Sequence, residues 1–86
     1  MRIVKRDGHI VDYNPDKIKT AINKANSEVQ TSNQISDEKI EEIIRYIESL
    51  DKKRILVEDI QDIIEEKLME YDKYQLAKKY ITYRYT

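Results

Sequence analysis

Cysteine, phenylalanine and tryptophan are absent from this sequence, and glycine, proline and histidine occur once each. Without cysteine the chain can form no disulfide bond and none of the common cysteine-containing zinc sites. A single histidine argues against a histidine-based metal cluster or a Ser–His catalytic pair, and we predict no catalytic residue and no protein-held metal. A single glycine excludes the glycine-rich loops that cradle phosphates, so any bound nucleotide must be held mainly by side chains.

The sequence also lacks a large excess of either charge and has no long apolar run. The 86 residues carry 16 Lys or Arg and 17 Asp or Glu, a formal net charge of -1, which gives no general reason to bind nucleic acid or an anionic membrane. No apolar run approaches a membrane span and the N-terminus lacks a signal-peptide core, so the default compartment is the cytoplasm. The length suits one domain, predicted over 1–86, with a modest core.

The only glycine lies in a segment that predicts a β-hairpin. Strands over 3–6 and 9–12 would flank Asp7-Gly8. Asp-Gly favours a two-residue type I′ turn, in which both central residues have positive φ. The histidine beside the turn, His9, is interpreted as a surface residue of the hairpin rather than a catalytic base.

About four helices are predicted after the hairpin, from apolar residues that recur at helical spacing. Asn14 can cap the first helix, with the only proline at its first position. Ser36 can cap the second, with Ile35 and Ile40 as a hydrophobic staple across it. Segment 55–57 is a candidate third strand. The predicted fold class is α+β, an N-terminal hairpin packed on a bundle of about four helices.

Cations surround two isoleucines near the start of the chain. Strand alternation puts Ile3 and Lys5 on one face and Arg6 on the other. Lys17 and Ile18 lie on the first turn of helix one. If that helix folds back on the sheet, an apolar slot would end beside two lysines, as a base with its phosphates requires. The residues alone favour a simpler interpretation, in which the cations are solvated and protect the edge strand.

Basic residues alternate with tyrosines near the C-terminus, over 78–85. Stacking on Tyr80 and Tyr83 would suit single-stranded nucleic acid. The balanced charge of the chain favours the alternative, an amphipathic last helix whose tyrosines close the core with their hydroxyls at the rim.

Together these motifs resemble the ATP-cone domain, the nucleotide-sensing module of many ribonucleotide reductases and of the bacterial repressor of their genes. The resemblance covers nearly the whole chain and rests on VKRDG at 4–8, NPDKI at 14–18, VEDIQDIIEEKL at 57–68 and AKKYITYRY at 77–85. It implies allosteric binding of ATP or dATP, with Mg²⁺ on the phosphates, and a readout as enzyme activity or oligomeric state.

The resemblance also implies the nucleotide ligands, which are Ile3, Lys5, Arg6, Val11, Asn14, Lys17, Ile18 and Arg84. The cations among them are expected at the phosphates and the isoleucines against the base. Val11 stands where many ATP cones carry a glutamate suited to the adenine amine, and an apolar residue there is more like the anaerobic reductases. A ligand from helix two stays open among Arg45, Tyr46 and Ser49.

The predicted function is therefore an allosteric domain of an anaerobic-type ribonucleotide reductase, with the catalytic domain and further copies of the chain as partners. The chain would be a fragment of a longer protein, because 85–86 shows no helix stop signal. One alternative is a helical interaction module that binds no nucleotide. Another is the cone of the repressor, which the lack of cysteine disfavours because that branch usually carries a cysteine-rich zinc ribbon.

Overall fold

A computed structural model describes residues 1–84, so the predicted missing stop signal at 85–86 lies outside the described residues. Along the chain the elements are β1 (Arg2–Val4), β2 (Ile10–Asp12), α1 (Pro15–Asn26), a 3₁₀ turn (Thr31–Asn33), α2 (Asp37–Ser49), β3 (Arg54–Leu56), α3 (Val57–Glu70) and α4 (Tyr74–Arg84). The predicted α+β class is confirmed, and the candidate third strand is real but begins and ends one residue earlier. No described helix is long and apolar enough to cross a membrane.

The sheet has the strand order β2-β1-β3, so the first strand of the chain is the central one. It pairs antiparallel with β2 and parallel with β3, and its middle residue Ile3 lies between Val11 and Ile55. Ile3 and Ile55 are buried, whereas Ile10 and Leu56 on the other face are exposed. One face of the sheet therefore packs on the helices and the other faces outward.

The hairpin turn differs from the prediction. The N–H of Gly8 donates to the carbonyl of Lys5 at 2.9 Å, and the N–H of Lys5 donates to the carbonyl of His9 at 2.7 Å. Gly8 has a φ of 91°, but Asp7 is not among the residues with positive φ. The type I′ assignment is therefore wrong: the turn has three residues, Arg6 to Gly8, and needs the left-handed conformation only at the last.

Asp7 helps to hold this turn through its carboxylate. One of its oxygens accepts a hydrogen bond from the His9 N–H at 3.0 Å, and the other lies 2.7 Å from the His9 ring nitrogen Nδ1. These bonds from His9 lower the pKa of the Asp7 carboxyl. An aspartate that bonds the backbone two residues ahead is a common way to stabilise a turn.

The predicted helix caps are present. The Asn14 side chain accepts from the backbone N–H two residues ahead at 3.0 Å, and Ser36 accepts from the N–H three residues ahead at 3.2 Å. Ile35 and Ile40 on either side of the second cap are both buried, as the staple requires. These local bonds fix where α1 and α2 begin.

The core is formed mainly by isoleucine side chains from one stripe of each helix. The large side chains that are fully buried are Ile22, Ile40, Ile43, Ile47, Ile64, Leu68 and Leu76. The sequence prediction missed the 3₁₀ turn Thr31–Asn33, whose polar residues carry no apolar period. Each buried isoleucine or leucine adds about 1.5–3 kcal/mol to the stability.

Aspartate occupies two positions where helices commonly end in glycine. Asp51 after α2 has a φ of 51°, and Asp72 after α3 has a φ of 60°. Glycine adopts this left-handed conformation without steric strain, whereas aspartate tolerates it less well. Because the sequence has one glycine, used in the hairpin, both helix ends carry a small conformational strain.

Replacing Gly8 with valine should lower the free energy of unfolding by about 1–2 kcal/mol, because a β-branched residue resists positive φ. A Cβ atom at this position would meet no atom within 4 Å, so the loss would come from the backbone alone. Gly8→Asn, which tolerates this conformation, should lose clearly less in chemical denaturation. Equal stability of the two variants would contradict the turn described above.

Replacing Asp51 with glycine should raise the free energy of unfolding by about 0.5–1 kcal/mol, because it removes the left-handed strain at the end of α2. Lys52→Gly is the control, since Lys52 is also exposed and has no positive φ. Thermal and chemical unfolding should show a gain only for the first variant. A loss of stability in Asp51→Gly would refute the strain.

Candidate functional site

An apolar cavity of about 150 Å³ lies between the sheet, α1, α3 and α4. The sheet contributes Ile3 and Val11, α1 contributes Ile18, and the far wall includes Ile60 and Tyr80. Four of these five side chains are buried members of the core. The cavity is therefore a gap at the margin of the core, where a flat apolar group would contact side chains on both sides.

Polar residues expected at a nucleotide surround the same cavity. Lys5 enters from the hairpin, and Asn14 and Lys17 come from the first turn of α1 and its cap. The structure thus brings together six of the eight predicted residues, which are Ile3, Lys5, Val11, Asn14, Lys17 and Ile18. Their role as ligands stays a prediction.

A cleft of about 500 Å³, lined mainly by polar and charged residues, adjoins the cavity. The two share Lys5, Val11, Val57 and Gln61 in their walls, so they are neighbours. The apolar cavity alone is smaller than the roughly 300–1,000 Å³ of typical ligand sites, whereas the cleft falls in that range. Together they offer an apolar cavity for a base and a wider cleft for the sugar and phosphates that a nucleotide carries.

Arg6 lies in the wall of this cleft, together with Lys5. Strand alternation predicted opposite faces for the two residues, but both line the same cleft. The strand β1 ends at Val4 and Arg6 begins the turn, so the alternation of a strand no longer applies. The hairpin therefore presents both cations to the cleft.

The Arg6 guanidinium bridges the hairpin to two helices. Its Nε donates to Glu58 Oε1 at 3.1 Å, and its Nη2 donates to Gln61 Oε1 at 2.8 Å. Nη2 also lies 2.8 Å from the backbone carbonyl of Arg84, at the last described residue of α4. The negative end of a helix dipole favours a cation at this position.

Arg84 also lines the cleft, but its guanidinium points to α3. Its Nη1 forms ion pairs with Asp62, at 3.0 Å, and with Glu65. The side chain is only 9% exposed. The two carboxylates hold this guanidinium against α3 through Nη1, and the predicted phosphate role of Arg84 stays a prediction.

The tyrosines near the C-terminus differ in their surroundings. Tyr80 is 3% exposed, and burial raises the pKa of its hydroxyl. It cannot act as a stacking surface for nucleic acid. Tyr83 is half-buried beside the cleft, and its hydrogen bond to Glu28 raises the pKa of its hydroxyl. Tyr80 instead closes the core, as the alternative interpretation of this segment proposed.

Helix α3 supplies four cavity-lining residues that the sequence prediction missed, which are Val57, Ile60, Gln61 and Ile64. Val57 and Gln61 line both the cavity and the cleft, whereas Arg45, Tyr46 and Ser49 of α2 are absent from both walls as described. Residues four apart lie on one helix face. The four-residue spacing of Val57 and Gln61 was the available signal in the sequence. It could be used only if the helix was known to begin at Val57, directly after β3.

The comparisons with known proteins identify the family of the chain. The ATP cone domain family matches residues 1–86. The chain is 36% identical, over an alignment of 95 positions, to the ribonucleoside-diphosphate reductase subunit alpha of Chlamydia trachomatis. It is 36% identical over 92 positions to the vitamin B12-dependent ribonucleoside-diphosphate reductase of Thermoplasma acidophilum.

These alignments cover 98% and 95% of the chain, but only 9% and 11% of the two relatives. The reductase subunit alpha of Chlamydia pneumoniae, 35% identical, shows the same proportions, with 95% and 9% covered. The chain thus spans about a tenth of the length of these curated relatives, and the catalytic activity is not assigned to it. On the family match and these identities, the chain belongs to the ATP-cone domain family.

Proposed function

We propose that this chain is an allosteric domain that binds ATP or dATP and controls the activity or oligomeric state of a ribonucleotide reductase. The observation that carries the proposal is the apolar cavity beside a cleft whose walls include Lys5, Arg6 and Arg84. ATP-cone domains use ATP and dATP as allosteric effectors. An effector controls an enzyme when it binds one conformation or assembly more tightly than another.

The base would lie in the apolar cavity between Ile3 and Ile18. The phosphates would extend toward Lys5 and Lys17, whose ammonium groups donate charge-assisted hydrogen bonds. Within residues 1–84 no group of three or more His, Cys, Asp or Glu could hold a metal ion. Mg²⁺ would be held chiefly by oxygens of the nucleotide phosphates, with water completing its coordination, because this ion keeps several waters and seldom uses a cage made only of protein ligands.

The enzyme that this domain would regulate is inferred from the relatives. Those reported above are reductases, which favours a reductase over the transcriptional repressor. The anaerobic type stays a prediction that rests on Val11. Docking on a catalytic domain, self-association and a cytoplasmic location also stay predictions.

Lys5→Ala and Lys17→Ala should each weaken ATP binding by about 1–3 kcal/mol, the range for a hydrogen bond to a charged group. Isothermal titration calorimetry in magnesium buffer measures this directly. Lys19→Ala is the matched control, because Lys19 lies on α1 as Lys17 does but forms an ion pair with Glu41 of α2. The control should bind ATP as the wild type does.

Titrations with dATP and GTP complete the experiment. Binding of the adenine nucleotides that is weakened in both lysine variants supports the proposed site. Unchanged affinity in the two variants would place the phosphates elsewhere. No heat with any nucleotide, from a chain shown to be folded, would contradict the proposal and favour the helical interaction module.

A further inference from the structure

The hairpin cation Arg6 is held by a carboxylate that lies beside the proposed phosphate site. Glu58, in the first turn of α3, accepts a hydrogen bond from the Nε of Arg6 at 3.1 Å. The Arg6 and Glu58 side chains are 41% and 58% exposed. Exposed ion pairs of this kind contribute about 0.2–1 kcal/mol, so a stronger anion can replace the carboxylate.

A phosphate that binds the Nε edge of the Arg6 guanidinium would compete with Glu58 for the same donor. A guanidinium presents its N–H groups in a fixed planar fork that matches either a carboxylate or a phosphate. Arg6 lines the cleft next to Lys5, which is where the proposed function puts the phosphates. The guanidinium cannot direct its Nε–H at Glu58 and at a phosphate oxygen with full geometry in both bonds.

We propose that Glu58 is an affinity-determining residue of this domain because it competes with the nucleotide phosphates for Arg6. Binding would move the guanidinium from Glu58 to a phosphate oxygen. Since Nη2 also bonds the carbonyl of Arg84, the same movement would weaken the link between the hairpin and the end of α4. This inference rests on the proposed function, and it names Glu58 as the group that opposes phosphate binding.

Glu58→Gln should therefore bind ATP more tightly than the wild type, by about 1.4-fold to fivefold, which is the range that the contribution of an exposed ion pair corresponds to. Asp59→Asn is the matched control, because Asp59 is an exposed acid of the same helix turn, next to the carboxylate that accepts from Arg6. It removes the same charge from the start of α3, so it reports any general electrostatic effect. Calorimetry at one fixed ionic strength compares the three proteins.

The Arg6→Gln background separates competition from other effects of the substitution. There Glu58→Gln should produce no tightening, since the guanidinium for which the two anions compete is gone. In the wild type, the ¹⁵Nε resonance of Arg6, assigned by its loss in Arg6→Gln, should move when ATP is added. The same resonance should also differ between wild type and Glu58→Gln without nucleotide.

The outcomes distinguish the two proposals. If the wild type binds ATP but Glu58→Gln binds no more tightly than Asp59→Asn, the competition is refuted and the nucleotide site stands. Tightening that persists in the Arg6→Gln background, or an Arg6 resonance that ATP does not move, would also refute it. If the folded wild type binds no ATP, both the proposed function and this inference are overturned.

Discussion

The burial of Ile3 and Ile55 against the helices is the interaction on which the rest of the structure depends. Their strands are three residues long, and such a small sheet is marginal in water without a packed face. The sheet is therefore held by its inner side chains rather than by its own hydrogen bonds. Because Ile3 and Ile18 also line the apolar cavity, the packing that docks the sheet also shapes the proposed site.

This arrangement links binding to stability. A base in the cavity would contact core side chains such as Ile60 and Tyr80, which are buried in its wall. A ligand that binds the folded state alone stabilises it in proportion to the logarithm of its concentration. A bound base would thus fill the gap at the margin of the core and improve the packing there. A change of packing at that margin is a physical route by which a small domain can signal that its ligand is bound.

Local features were predictable from the sequence, and long-range ones were not. The Asn14 and Ser36 caps depend on bonds within three residues, and they were predicted correctly. Asp-Gly fits both a two-residue and a three-residue turn, so the sequence could not decide between them. In the three-residue turn Arg6 is a turn residue, so strand alternation no longer predicts where its side chain lies. The contribution of Gln61 depends on how α3 packs beside the hairpin, which no local pattern specifies.

The most direct test of the account is a titration of ¹⁵N-labelled protein with ATP, followed by amide chemical shifts. The account predicts that the largest changes lie around the cavity, in Ile3, Val11, Ile18 and Val57, with small changes along α2. Val57 is the sharpest of these, because only the three-dimensional structure places it at the site. Changes confined to other surfaces, or none at saturating ATP, would contradict the central claim that this cavity binds the nucleotide.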